Sequence, residues 1–85
     1  MQFDGALIKE QGVTFAIVIV KPNILISPQR EAVRNNFISV FGNVPIILAS
    51  HDSTGNFKYH GRKDIVNLLA NLHYSQIPWR TYTVN

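Results

Sequence analysis

Apolar positions along this chain fall into blocks of two kinds. Some run on or alternate over a few residues, as strands do, and others recur every three to four residues, as helices do. Gln2 to Lys9 alternates weakly through Phe3, Ala6 and Ile8, and the polar break Glu10-Gln11-Gly12 follows. Val13 to Val20 is the strongest strand in the chain, rich in β-branched residues and apolar on both faces from Phe15 onward. A run of that kind belongs in the middle of a sheet with both faces covered. The short break between these blocks predicts a β-hairpin.

Lys21-Pro22-Asn23 ends the second strand, and Ser27-Pro28 reads as a helix start, with serine as N-cap and proline at N1. Val33, Phe37, Val40 and Phe41 then recur at helical spacing, with Arg34, Asn35 and Ser39 on the opposite side and Gly42 as the stop. This predicts a helix over Pro28 to Phe41. Val44 to Ser50 is a second continuous apolar strand, so a parallel βαβ unit with a right-handed crossover is expected. The turn-forming residues 51–56 lead into the short strand Phe57 to His60. A second helix, about Arg62 to Leu72, carries Ile65, Leu68, Leu69 and Leu72 on one stripe. Pro78 opens a last extended segment, Trp79 to Val84. The order is ββαββαβ. The fold class this implies is α+β, a single-domain two-layer sandwich over residues 1–85 with a mixed sheet and two helices.

Length and composition narrow the function classes. The chain has 85 residues, room for one domain. Its apolar fraction is 46% and its charged fraction 15%, against a usual charged share of about 25%. Disordered chains show the opposite balance. The longest uninterrupted apolar run, Phe15 to Val20, is far short of the ~20 residues a bilayer helix needs, so no membrane association is expected. Cysteine is absent, which excludes a disulfide scaffold, thiolate metal sites and a cysteine nucleophile. The opening Met-Gln-Phe-Asp has no basic flank before an apolar run. It is not read as a secretory signal, and a cytoplasmic location is expected. The net charge of +3 comes from scattered basic residues, with only Lys58 to Lys63 forming a cluster, so nucleic acid is an unlikely partner.

Most reactive side chains lie between His51 and Asp64. His51-Asp52-Ser53 is first of all a loop whose side chains cap their own backbone, because triad members meet through the fold rather than along the sequence. His51 and His60 stand where a hairpin sets them across from each other, but the chain has no HxH or HxxxH spacing, and no metal site is assigned. Tyr59-His60-Gly61-Arg62-Lys63-Asp64 places a glycine and two basic side chains at a helix entry, where anions bind. The candidate ligand-binding residues are therefore His51, Asp52, Lys58, Tyr59, His60, Arg62 and Lys63. Neither GxxxxGK[ST] nor GxGxxG occurs, so no nucleotide cofactor is implied. Trp79, Arg80 and Tyr82 are candidate partner contacts, although a tryptophan in so small a chain serves first as a core plug.

Val44-Pro45, the strand and hairpin after it, Gly61 and the following helix resemble the C-terminal half of thioredoxin-like folds over about residues 44–72. The redox cysteines are missing, so the resemblance implies no redox activity, and no family is assigned on it. With no assembled catalytic motif, the expected function is a non-catalytic binding or protein-interaction module that self-associates as a dimer, or docks on another protein. A small enzyme or an anion-binding protein using the His51 to Asp64 region is the alternative. Either Gln2 to Lys9 or Trp79 to Val84 is expected at an exposed sheet edge.

Overall fold

The computed structural model describes residues 1–84. Five strands form one mixed sheet in the order β4-β3-β2-β1-β5. Strand β1 (Gln2–Glu10) and β2 (Val13–Ile19) make an antiparallel hairpin, with Glu10 opposite Val13. The two residues between them, Gln11 and Gly12, both have positive φ, at 53° and 78°. That is the two-residue turn whose twist matches the flanking strands. β2 pairs in parallel with β3 (Ile46–His51), which pairs antiparallel with β4 (Phe57–His60). β5 (Arg80–Thr83) closes the far side by pairing antiparallel with β1.

The crossover from β2 to β3 carries three short helices: α1 (Pro22–Leu25), α2 (Arg30–Asn36) and α3 (Ile38–Phe41). The expected single helix over Pro28 to Phe41 is thus divided. Pro22 does more than end β2, since it occupies the first turn of α1. Ser27 does cap, its Oγ accepting from the Gln29 N–H at 3.0 Å, but it caps a turn ahead of α2 rather than the helix itself. The break between α2 and α3 falls at Phe37, whose backbone stays right-handed helical while its N–H bonds back to Arg34 at 3.1 Å. The tighter i→i−3 bond turns the Phe37 ring into the core, where it meets Phe3 edge-on at 4.8 Å. Gly42 stops the run at φ 84°, as its position predicts. After β4, α4 (Lys63–Ala70) is slightly shorter than the expected Arg62 to Leu72.

The α+β class, the mixed sheet and the ββαββαβ order are as read from the sequence. The layering goes beyond the expected two-layer sandwich, because the helices divide between the two faces. Phe15 and Ile17 of β2 and Ile47 and Ala49 of β3 pack against Ile65 and Leu69 of α4. Their neighbours Ala16, Val18, Ile46 and Leu48 point the other way, against Leu25 of α1 and Phe37. Alternation puts consecutive side chains on opposite faces, so a strand that is apolar throughout needs a cover on each side. β2 lies in the middle of the order, as expected from its composition. β1, one of the two expected edges, is interior, because β5 pairs along its outer side. Among the described residues no helix is long and apolar enough to cross a membrane.

Phe37 and Leu69 each anchor one of the two cores, at 6% and 0% exposure. Truncating either to alanine should cost about 2–5 kcal/mol in a chemical denaturation experiment. A loss below about 0.5 kcal/mol at either position would place that side chain outside the core.

Candidate functional site

The hairpin of β3 and β4 carries most of the candidate residues, and its register separates them. Leu48 opposes His60 and His51 opposes Phe57. Leu48 belongs to the face covered by α1 to α3, and Phe57 to the face covered by α4. His60 therefore lies on the first face and His51 on the second. They do not face each other across the hairpin, because a separation of nine positions puts them on opposite sides of a period-two strand pair.

Asp52 acts as the loop reading expects. Its Oδ1 accepts from the Thr54 N–H at 2.9 Å, the Thr54 hydroxyl at 2.6 Å and the Asn56 N–H at 3.1 Å. The Thr54 hydroxyl bond, with the two backbone donors, holds its carboxyl below the usual carboxylate range. All three bonds fall on this one oxygen, which shapes the turn. Lys58 is exposed on β4. Tyr59 is partly buried against the α4 core, and burial pushes its phenol up.

His60, Arg62 and Arg34 line an open depression of about 420 Å³, together with Glu31 and Pro45. Arg34 is the residue that sequence reading missed. The helical pattern puts it on the side away from the core, and such positions usually face water. Instead its side chain is only 14% exposed and reaches from α2 to the sheet. Nε donates to the Ile46 carbonyl at 3.0 Å and Nη2 to the His60 carbonyl at 3.0 Å. Nη2 also meets His60 Nδ1, and Nη1 pairs with Glu31. Nothing in the sequence links positions 34 and 60; only the i, i+3 spacing of Glu31 and Arg34 was visible.

This geometry fixes the chemistry of His60. Guanidinium donates and cannot accept, so Nδ1 must be the unprotonated nitrogen and Nε2 carries the hydrogen. Burial holds the imidazole below its ordinary range, the charges of Arg30 and Arg34 add to this, and Glu31 opposes them. The Arg34 hydrogen bond holds the Glu31 carboxyl low. Arg62 forms a two-pronged pair with Asp64, at 2.8 and 2.7 Å, and Lys63 is exposed at the start of α4. Gly61 is required by packing, since a Cβ there would collide with the Ile47 side chain. The depression thus holds cations that are already engaged, with Arg34 acting as a brace between crossover and sheet.

Of the candidate partner contacts, Trp79 lies on the α4 face. It stacks on Phe57 at 5.7 Å, and its indole N–H donates to the Tyr74 carbonyl at 2.9 Å. That is the core-plug reading. Tyr82 lies on the other face, stacked on Phe3 at 5.2 Å and edge-on to Phe41 at 5.1 Å. Arg80 and Tyr82 share a groove of about 510 Å³ with Leu7, Val40, Phe41 and Pro78.

Two measurements check the brace. Replacing Arg34 with leucine leaves the Ile46 carbonyl without its side-chain donor, removes the second donor of the His60 carbonyl, and should cost about 1–3 kcal/mol. The native state holds the His60 proton less tightly than the unfolded chain does. Its share of stability is therefore present above the ordinary histidine value of about 6.5 and lost as pH falls through the lower native value. Denaturation midpoints should drop over that window before the carboxylates titrate. The His60→Asn variant, whose amide oxygen takes the place of Nδ1 as the acceptor from Arg34, should flatten that leg of the curve; an unchanged slope would assign it elsewhere.

Comparison with family models, curated proteins and solved structures finds no match for the chain, so its functional reading rests on this geometry.

Proposed function

We propose that the chain is a non-catalytic interaction module that associates with a second copy of itself. The observation that carries this reading is the groove beside the β5 edge that the α1 to α3 layer leaves open. That layer packs over β2 and β3 and reaches Phe3 and Tyr82 through Phe37 and Phe41, but it stops short of Leu7. Leu7, on that face of β1, is 49% exposed. The apolar floor continues from Leu7 to Pro78 and Tyr82, with Phe41 as one wall. Soluble monomers seldom leave such ground open next to an unpaired strand.

The two edges of the sheet each carry one charge, Lys58 on β4 and Arg80 on β5, and differ in what lies beside them. The depression beside β4 is lined by Arg34 and Arg62, whereas the groove beside β5 is lined by Leu7, Val40, Phe41 and Pro78. Exposed charge is the usual protection of an edge strand. The chain's low charge leaves little to keep two such surfaces apart, and a twofold contact is the commonest way for a small chain to cover them. The alternative, an anion site around His60 and Arg62, has less support. Arg34 and Arg62 already hold carboxylates, and the free donors near the depression are His60 Nε2 and the exposed Lys63.

Sedimentation equilibrium over a roughly hundredfold concentration range tests the reading. The mass should rise above 9.6 kDa with concentration. Leu7→Lys should weaken the association while leaving the denaturation midpoint within about 0.5 kcal/mol of the parent. A mass that stays at the monomer value throughout overturns self-association.

A further inference from the structure

We infer that the second copy adds to β5 in antiparallel register about a twofold axis at Tyr82, joining two five-stranded sheets into one. This inference rests on the self-association reading above and names the surface and the pairing.

The register follows from which main-chain groups are free. Met1 and Val84 exchange both hydrogen bonds, each at 2.8 Å. In an antiparallel ladder, bonded and non-bonded pairs alternate. Phe3 with Tyr82 and Gly5 with Arg80 are therefore also bonded pairs, and the main-chain groups of Tyr82 and Arg80 point toward β1. Those of Thr81 and Thr83 point outward. Among the described residues no side chain or loop bonds to them.

A twofold axis perpendicular to a sheet keeps each residue on its own face, so a strand can pair with its copy only with some residue opposite itself. Four such registers are centred on a residue of β5. Centred on Thr83, the pairing uses the outward groups of Thr83 alone, and among the described residues those of Thr81 meet no partner. Centred on Arg80, the pairing sets two guanidinium groups against each other, which is repulsive. Centred on Thr81, it requires the Trp79 N–H, which already donates to the Ile77 carbonyl at 2.8 Å. Centred on Tyr82, it sets Thr81 opposite Thr83 of the second copy, and the reverse. Each outward N–H then meets an outward carbonyl, and every free group of Thr81 and Thr83 is used. Tyr82 faces its own copy across the axis. The cross-strand stack of Phe3 on Tyr82, at 5.2 Å, thereby continues into a four-ring ladder through the interface. Arg80 stands opposite an uncharged valine.

The absence of cysteine makes cross-linking unambiguous. Thr81→Cys and Thr83→Cys chains, tagged to differ in size, are oxidised alone and mixed. Residues opposite in a bonded pair lie about 5.5 Å apart at Cα, within disulfide reach, whereas the diagonal neighbours lie about 7–8 Å apart. The mixture should give the cross-linked heterodimer, several-fold above either variant alone. Thr81→Pro, which removes an outward N–H from an edge where proline is tolerated, should weaken the dimer about tenfold or more without unfolding the monomer. Efficient linking of Thr81→Cys with itself, or of Thr83→Cys with itself, overturns the register. A dimeric mass without any link at 81 or 83, or with efficient linking of Lys58→Cys on β4, overturns β5 as the interface and leaves self-association standing. A monomeric mass for the unmodified chain removes both.

Discussion

β2 and β3 are apolar on both faces, and the rest of the molecule is arranged to cover them. Phe15, Ile17 and Ile47 fill one side and Ala16, Val18 and Leu48 the other, all essentially without exposure. Because side chains alternate across a strand, no single helical layer can shelter such a pair. The chain meets the demand with the two connections it has. The β2–β3 crossover folds into α1, α2 and α3 on one face, and α4 crosses the other on its way from β4 at one edge to β5 at the opposite edge.

A chain of this length has little to spare once both faces of the centre are covered. The crossover is broken into three short helices, and helices of one or two turns draw little stability from their own hydrogen bonds. Side-chain bonds to the sheet hold them instead. Arg34 ties α2 to the main chain of β3 and β4 at once, and Arg30 donates to the Leu25 carbonyl at 2.6 Å, tying α2 to α1. The arginine cluster thus serves first as structure. This is the physical reason to look for function at the thin end of the cover, where Leu7, Phe41 and Tyr82 border an open edge.

The functional reading follows from the same shortage. Covering β2 and β3 leaves Leu7 outside the α1 to α3 layer and Thr81 and Thr83 exposed on β5. On the proposed reading a second copy joins at that edge, because the outward main-chain groups of Thr81 and Thr83 are complementary to themselves.

By itself the sequence determined the element types, the ββαββαβ order, the central place of Val13 to Val20, the capped Asp52 loop and the core role of Trp79. Each of these follows from local periodicity, turn chemistry or side-chain bulk, which act within one element or between neighbours. Only the tertiary structure decided which face each helix took, that β1 is interior while β5 is the edge, that His51 and His60 lie on opposite faces, and that Arg34 is a brace rather than a solvated side chain. A helical pattern records which side of a helix is apolar, and carries no mark of the sheet face it will meet. Arg34 looks like any outward residue because its partners, the carbonyls of Ile46 and His60, are main-chain groups present at every position. Their availability is set by how the crossover lies on the sheet, and no single residue of the sequence encodes it.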